Sequence, residues 1–126
     1  MDKKSVNKVI LIGNIGNKPE CRYTPSGSPV TSFSLATNET WINADNEKVE
    51  NTEWHNIIVW NKLAEFAKDY LFKGQSIYVE GKIRTSQWED EKSGQKRKKI
   101  DIVCSNIIPL DWKGKPSDST SDINHK

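Results

Sequence analysis

"TEWHNIIVWNKLAEFAKDYLFKG", residues 52–74, changes its hydrophobic period part-way along. Up to Trp60 the side chains alternate, which in a strand sends Trp54, Asn56, Ile58 and Trp60 to one face and His55, Ile57 and Val59 to the other. From Asn61 onward, Leu63, Phe66, Ala67, Tyr70 and Leu71 recur at three and four, the spacing of an amphipathic helix. Asn61 is placed to cap its start and Gly74 to close its end. A strand running straight into a single helix is the fixed point from which the rest of the chain is placed.

Upstream, "VNKVILIGNIG" (6–16) reads as a strand ending in glycines, and "NKPECRYTPSGSP" (17–29) as a loop or tight hairpin. "VTSFSLATNETW" (30–41) alternates small polar and apolar residues, and "INADNEKVEN" (42–51) supplies a hairpin tip before the opening stretch. Downstream, "QSIYVEGKIRTSQW" (75–88) alternates strictly, "EDEKSGQ" (89–95) breaks it with a charged turn, and "KRKKIDIVCSNIIPL" (96–110) forms the last strand. Three strands, a helix and two strands is the order of the oligonucleotide/oligosaccharide-binding (OB) fold. The expected class is therefore all-β with one helix, a five-stranded Greek-key barrel whose helix lies between the third and fourth strands. Residues 1–110 form the expected domain; 111–126, "DWKGKPSDSTSDINHK", is polar and is expected to be a flexible tail.

Composition agrees with one lean domain. The chain has 126 residues, of which 34% are hydrophobic and 29% charged, and its mean hydropathy of -0.75 points to a small core suited to a barrel or an oligomer. The longest apolar runs, "VILI" (9–12) and "IIVW" (57–60), are far short of the roughly 20 residues of a membrane helix. "MDKKSVNK" has no apolar h-region behind it, so a cytoplasmic protein without a membrane span is expected. Cys21 and Cys104 lie far apart with no Cys-x-x-Cys or Cys-x-x-His neighbour, so neither metal, cofactor nor disulfide framework is expected. The net charge of +2 leans only weakly toward anionic partners.

Tryptophan placement is more informative. Trp54 and Trp60 share a strand face and stand about 20 Å apart at strand rise, far enough to hold different nucleotides. In the following strand, Tyr78, Glu80, Lys82, Arg84, Ser86 and Trp88 share a face, opposite Ile77, Val79, Gly81, Ile83 and Thr85. A dry core does not want Lys82 and Arg84, and a purely solvated face does not need Trp88. A flexible polyanion with flat bases wants both, since aromatic rings stack bases and cations neutralise phosphates. Aromatics in strands commonly serve as core, but five tryptophans in so lean a chain are hard to bury. Trp41, ahead of the polar tip, is also expected to be exposed, and Trp112 is unassigned. Lys62 and Lys73, near the helix ends, are secondary phosphate candidates, and "KSGQKRKK" (92–99) equally suits a solvated hairpin.

The segments "VNKVILIGNIG", "SFSLATNETW", "TEWHNIIVWNKLAEFAKDYLFKG" and "IYVEGKIRTSQW", four motifs in order across residues 6–110, resemble the bacterial single-stranded DNA-binding protein family. The resemblance implies a homotetramer of such barrels wrapping single-stranded DNA without sequence preference. Trp41, Trp54, Trp60 and Trp88 match the family's base-stacking positions, and His55 matches a histidine at its subunit contact. Replication, recombination and repair are the processes it implies, with no enzymatic activity. His55 as a catalytic base would need a partner at suitable spacing, and the other histidine is His125 in the tail.

Two departures modify that expectation. Family members often carry basic residues where this chain has Asn56 and Ser86-Gln87, which predicts a shallower salt dependence of binding than in a more basic relative. They usually finish with an acidic tip ahead of Ile-Pro-Phe. Here "SDSTSDINHK" holds only Asp118 and Asp122 as acids, so recruitment of repair and replication enzymes through the tail is not expected. The competing reading is an OB-fold assembly subunit of a primosome-like complex, with weak nucleic-acid contact and few exposed aromatics.

Overall fold

The computed structural model describes residues 4–111. The elements are β1 (Val9–Ile15), β2 (Glu20–Tyr23), β3 (Pro29–Ile42), β4 (Lys48–Trp60), α1 (Asn61–Tyr70), β5 (Ser76–Glu89) and β6 (Lys96–Pro109). Strand order is β1-β5-β6-β4-β3-β2, and a further pairing of β1 with β3 closes the sheet on itself. The closed unit is the expected five-stranded barrel of β1, β3, β4, β5 and β6 with one helix between β4 and β5.

Two details differ from the sequence expectation. Residues 17–29 are not all loop, because Glu20–Tyr23 pairs antiparallel with Pro29–Ser32 and makes a short sixth strand beside β3. Four residues are too few for alternation to stand out, so only the turn that follows was legible; there Ser28 N–H donates to Thr24 Oγ1 and Gly27 takes φ 93. The helix ends also differ. Asn61 is a left-handed first residue (φ 59) and Trp60 occupies the N-cap without a side-chain hydrogen bond. At the other end, the Leu71 N–H donates to Ala67 O, while Gly74, at φ 91, serves the next turn and donates its N–H to Ile15 O.

The core is built from the inward rows. Leu35, Ile57, Val59, Ile77 and Val79 are fully buried, with Ile15, Phe33, Ile102, Cys104 and Ile107 around them. Ala64, Ala67 and Leu71 of the helix side close one end, while Leu63 and Phe66 pack partly buried against that core. Thr31, buried in β3, donates its hydroxyl to Ala64 O at 2.7 Å and ties sheet to helix. Gly13 has no room for a Cβ because the Ala36 carbonyl sits there, and this closeness lets β1 meet β3 and shut the barrel. Burial pushes the Cys104 thiol pKa up, which keeps it protonated.

Beyond the barrel, two long hairpins continue as arms. β3 and β4 stay in register from Val30↔Trp60 to Ile42↔Lys48, and β5 and β6 as far as Glu89↔Lys96. β4 and β6 form ladder pairs only at Ile57↔Ile102 and Ile58↔Val103, so farther out the two arms continue as separate two-stranded ribbons. The tips are held by their own polar side chains: Asn43 Oδ1 accepts from the N–H groups of Asp45 and Glu47, and Asp90 Oδ1 from that of Lys92. Asp111 is anchored through its carbonyl, which accepts from Gln75 Nε2 at 3.0 Å. Trp112 and the rest of the expected tail lie outside the described residues.

Candidate nucleic-acid interface

Strand alternation in β4 places Trp54 and Trp60 on the outer face at 61% and 38% exposure, while Ile57 and Val59 beneath them are fully buried. The outer surface of the barrel wall is continuous across three strands. Ile58 pairs with Val103, which in turn pairs with Lys82, so β4, β6 and β5 contribute one lateral row. Farther out along the β5–β6 arm, Arg84 lies opposite Asp101, Ser86 opposite Lys99, and Trp88 opposite Arg97. An exposed indole thus ends a row of cations, with Trp88 at 49% exposure.

Trp54 is held rather than loose. Its ring lies over Gly16, where a Cβ would collide with Cζ3 of the indole, and Gly16 donates its N–H to Ser34 O at 2.9 Å. Asn17, the next residue, accepts from both the Ser34 N–H and hydroxyl, at 2.8 and 2.9 Å. The "GNIGN" segment therefore builds a seat for one ring. Preorganisation of this kind reduces the ordering cost of binding.

Trp41 is exposed but belongs to the other row. It pairs with Val49, whereas Trp54 pairs with Ala36, so the unbroken register puts Trp41 on the opposite face of the β3–β4 ribbon from Trp54. Lys62 is exposed in the first turn of α1, beside Trp60 in the chain. Lys73 stands apart, in the turn before β5, about 30 Å of strand rise from Arg84. His55 is half-buried on the inward row and shares a 2.9 Å hydrogen bond with the Thr37 hydroxyl.

Sequence reasoning passed over Arg97 and Lys99 because "EDE" precedes the basic run. The signal was the alternation in "KRKKID", which sends Arg97 and Lys99 to the face of Arg84 and Trp88 and Lys96 and Lys98 to the other. Arg97 also reaches Asp90 at 3.3 Å, and the Asp90 carboxyl is held below the usual range first by the Lys92 N–H and then, against its desolvation, by Arg97. Among the described residues no group of three His, Cys, Asp or Glu side chains is placed to hold a metal ion, and no helix is long and apolar enough to cross a membrane.

Residues 6–110 match the single-strand binding protein family. The chain belongs to that family. It is 42% identical over 122 residues to the single-stranded DNA-binding protein 1 of Chlorobaculum tepidum, covering 97% of this chain and 75% of that one. Its fold is similar to the Plasmodium falciparum SSB in a complex with ssDNA, with a TM-score of 0.79 and 36% identity over 88% of this chain and all of the other. A deletion mutant of the single-stranded DNA-binding protein from Thermus aquaticus is similar at a TM-score of 0.75 and 32% identity, covering 87% of this chain and 53% of that one. In the family member described here, the face built by β4, β5 and β6 carries Trp54, Trp60 and Trp88 together with Lys82, Arg84, Arg97 and Lys99, while Trp41 and Lys73 lie off it.

Proposed function

We propose that this protein binds and protects single-stranded DNA during replication, recombination and repair, stacking unpaired bases on indoles and neutralising phosphates with lysine and arginine. The observation that carries the reading is the shared outer face: Trp54 and Trp60 on β4, and Lys82, Arg84 and Trp88 on β5, all exposed on the side of the sheet that faces away from the core. Each stack is worth roughly 1 to 3 kcal/mol and tolerates any base, since every base has a π-face. Trp41 supplies a stacking surface on the far side of its ribbon, so a strand using both sides must pass around the β3–β4 arm. Lys62 extends the path past Trp60, and Lys73 serves only a strand that continues over the helix end. The protein acts as a binder, not an enzyme. An assembly subunit with weak nucleic-acid contact would show few exposed aromatics, and Trp41, Trp54, Trp60 and Trp88 are all exposed.

Two separate apolar surfaces support a homotetramer, because a four-subunit assembly with two-fold axes needs two different self-complementary contacts. One is the outer side of β1, β5 and β6, where Ile12, Tyr78 and Ile108 form a lateral row with Ile10 and Leu110 nearby. The other is the inward side of the arms, where Ile83 and Ile100 are exposed past the barrel end and His55 is half-buried. His55 packs there against a neighbouring chain.

Intrinsic tryptophan fluorescence titrated with oligo(dT) at low and high salt tests the reading. Deep quenching that saturates at many nucleotides per tetramer is expected; unchanged emission at saturating oligo(dT) would refute it.

A further inference from the structure

β1 and β5 stay paired as far as Val9↔Gly81, where β5 leaves the barrel to become an arm. Continuing that register by two places sets Asn7 opposite Ile83, but no ladder pair forms there. The Asn7 side chain makes both bonds instead: Nδ2 donates to Ile83 O at 2.9 Å, and Oδ1 accepts from the Ile83 N–H at 2.9 Å. A carboxamide carries a donor and an acceptor side by side, the same pair that a neighbouring strand offers an edge residue. Asn7 thus adds one more rung to the sheet, made by a side chain.

This rung lies where the arm is least supported. Residues 82–89 and 96–100 are all exposed, so no buried contact of their own fixes the direction in which the ribbon leaves the barrel. The register of β5 against β6 shifts between Glu80 and Gly81, and a Cβ on Gly81 would collide with the Val103 carbonyl. Such a bulge bends the strand. Beside it, a cleft of about 540 Å³ separates residues 5–8 from 80–82 of β5 and 103–105 of β6. The root of the arm is therefore bent and not filled, and Asn7 spans it. The Lys8 ion pair with Glu80 holds the same N-terminal segment from the barrel side.

Ile83 stands between Lys82 and Arg84 in the chain, so the bonds grip the arm at the residue between two of its proposed phosphate ligands. We infer that Asn7 is a positioning residue for nucleic-acid binding: its carboxamide sets the tilt of the β5–β6 arm, and through it the places of Lys82, Arg84 and Trp88 along a bound strand. The inference rests on the single-stranded DNA reading and adds to it what keeps the cations of an exposed ribbon in line.

Asn7 is itself exposed, so Asn7→Leu, of similar volume but with neither donor nor acceptor, is expected to leave the melting temperature near that of wild type. Hydrogen exchange at the Ile83 amide reads the clamp directly. It is expected to quicken by about tenfold, the upper range of one net hydrogen bond, while exchange in the barrel at Val79 stays as it was. Oligo(dT) affinity is expected to fall on the order of fivefold, within the coupling that residues in one network show. The readout that a purely structural role would not move is a double-mutant cycle with Arg84→Gln. The change in salt slope that Arg84→Gln causes in wild-type protein is expected to shrink in the Asn7→Leu background. Asn7→Ala repeats each measurement without a branched side chain beside the arm. Quickened Ile83 exchange with unchanged oligo(dT) affinity, or strictly additive effects of the Asn7 and Arg84 substitutions, would reduce Asn7 to a cap on a strand edge and overturn the inference while leaving the single-stranded DNA reading intact. Unchanged Ile83 exchange in both Asn7 variants would overturn it by showing that the clamp does not hold in solution. Wild-type protein that binds no oligo(dT) would overturn the single-stranded DNA reading itself, whatever the exchange at Ile83.

Discussion

Trp54 rests on Gly16: the indole occupies the space where any side chain at that position would begin. The glycine takes no left-handed conformation there, so it is required for room and not for backbone freedom. Gly16→Ala forces the ring off its seat and crowds the Ser34 hydroxyl. The expected result is a loss of oligo(dT) affinity approaching that of Trp54→Ala, roughly 1 to 3 kcal/mol, with less fluorescence quenching. Wild-type quenching and affinity in Gly16→Ala would show that the seat does not matter.

The Thr31 hydroxyl is the buried polar link between β3 and the helix, donating to Ala64 O. Thr31→Val keeps the volume and removes the donor. The expected cost is about 1 kcal/mol, the usual net worth of one neutral hydrogen bond, read by urea denaturation with an unchanged m-value. DNA affinity should not move, because the link lies on the core side of the sheet.

Much of the fold was written in period and turn chemistry. The switch at Trp60 from a two-residue to a three-and-four-residue repeat located the helix, and the inward row Ile57 and Val59 is fully buried as alternation requires. What escaped has physical causes. Asn61 was legible as a cap by type, yet capping depends on backbone angles that composition does not give; it takes a left-handed conformation instead. Trp41 was legible as exposed, but its face depends on a register count through the whole β3–β4 ribbon. Asp101 sits in an unremarkable "KIDIV", and its burial arises only because β6 is flanked by β4 and β5. The β6 register also skips Ser105 between Cys104 and Asn106, a bulge that resets which residues face inward.

Lys8 and Glu80 form an ion pair at 2.6 Å, with the Tyr78 hydroxyl 3.3 Å from the same carboxylate. The Lys8 hydrogen bond, followed by its charge, holds the Glu80 carboxyl below its ordinary range. The same hydrogen bond and charge raise Lys8, while desolvation, reinforced by Glu80, raises Tyr78. For Glu80 the folded pKa is the lower one, so its contribution is present above the ordinary glutamate pKa and is lost as pH falls through the depressed value. For Lys8 the folded pKa is the higher one, so its contribution holds below the ordinary lysine pKa and is lost as pH rises through the raised value. Glu80→Gln should therefore flatten both the acid and the alkaline limbs of the melting temperature against pH. A variant whose two limbs superimpose on the wild-type ones would contradict the coupling.

Cations on the outer face predict a measurable salt slope. Each phosphate neutralised on a single strand contributes about -0.7 to the slope of log K against log salt. Arg84→Gln should make the slope shallower by about that amount while lowering affinity similarly for all homopolymers, since phosphate contacts carry no sequence information. Lys73→Gln, away from the row, should change it little. Equal effects at the two positions would mean that the strand does not follow the β5 arm.

Ile12, Tyr78 and Ile108 form a lateral row across β1, β5 and β6, with Ile12 at 59% and Ile108 at 48% exposure and Tyr78 half-buried between them. Exposed aliphatics in contiguous rows mark association surfaces, and here the row sits at the barrel end of the same β5 face that carries Lys82 and Arg84 farther out. Burying Ile12 against its counterpart would remove apolar surface from water on both chains. A carboxylate there would instead place like charges on either side of a two-fold axis. Ile12→Glu is therefore expected to lower the sedimentation mass below that of the proposed tetramer while each chain keeps its β-sheet circular dichroism, because the residue points away from the barrel core. Short oligonucleotides that fill one barrel should bind nearly as before, whereas long ones should lose the affinity that comes from engaging several linked barrels at once. An unchanged sedimentation mass in Ile12→Glu would remove this surface from the assembly.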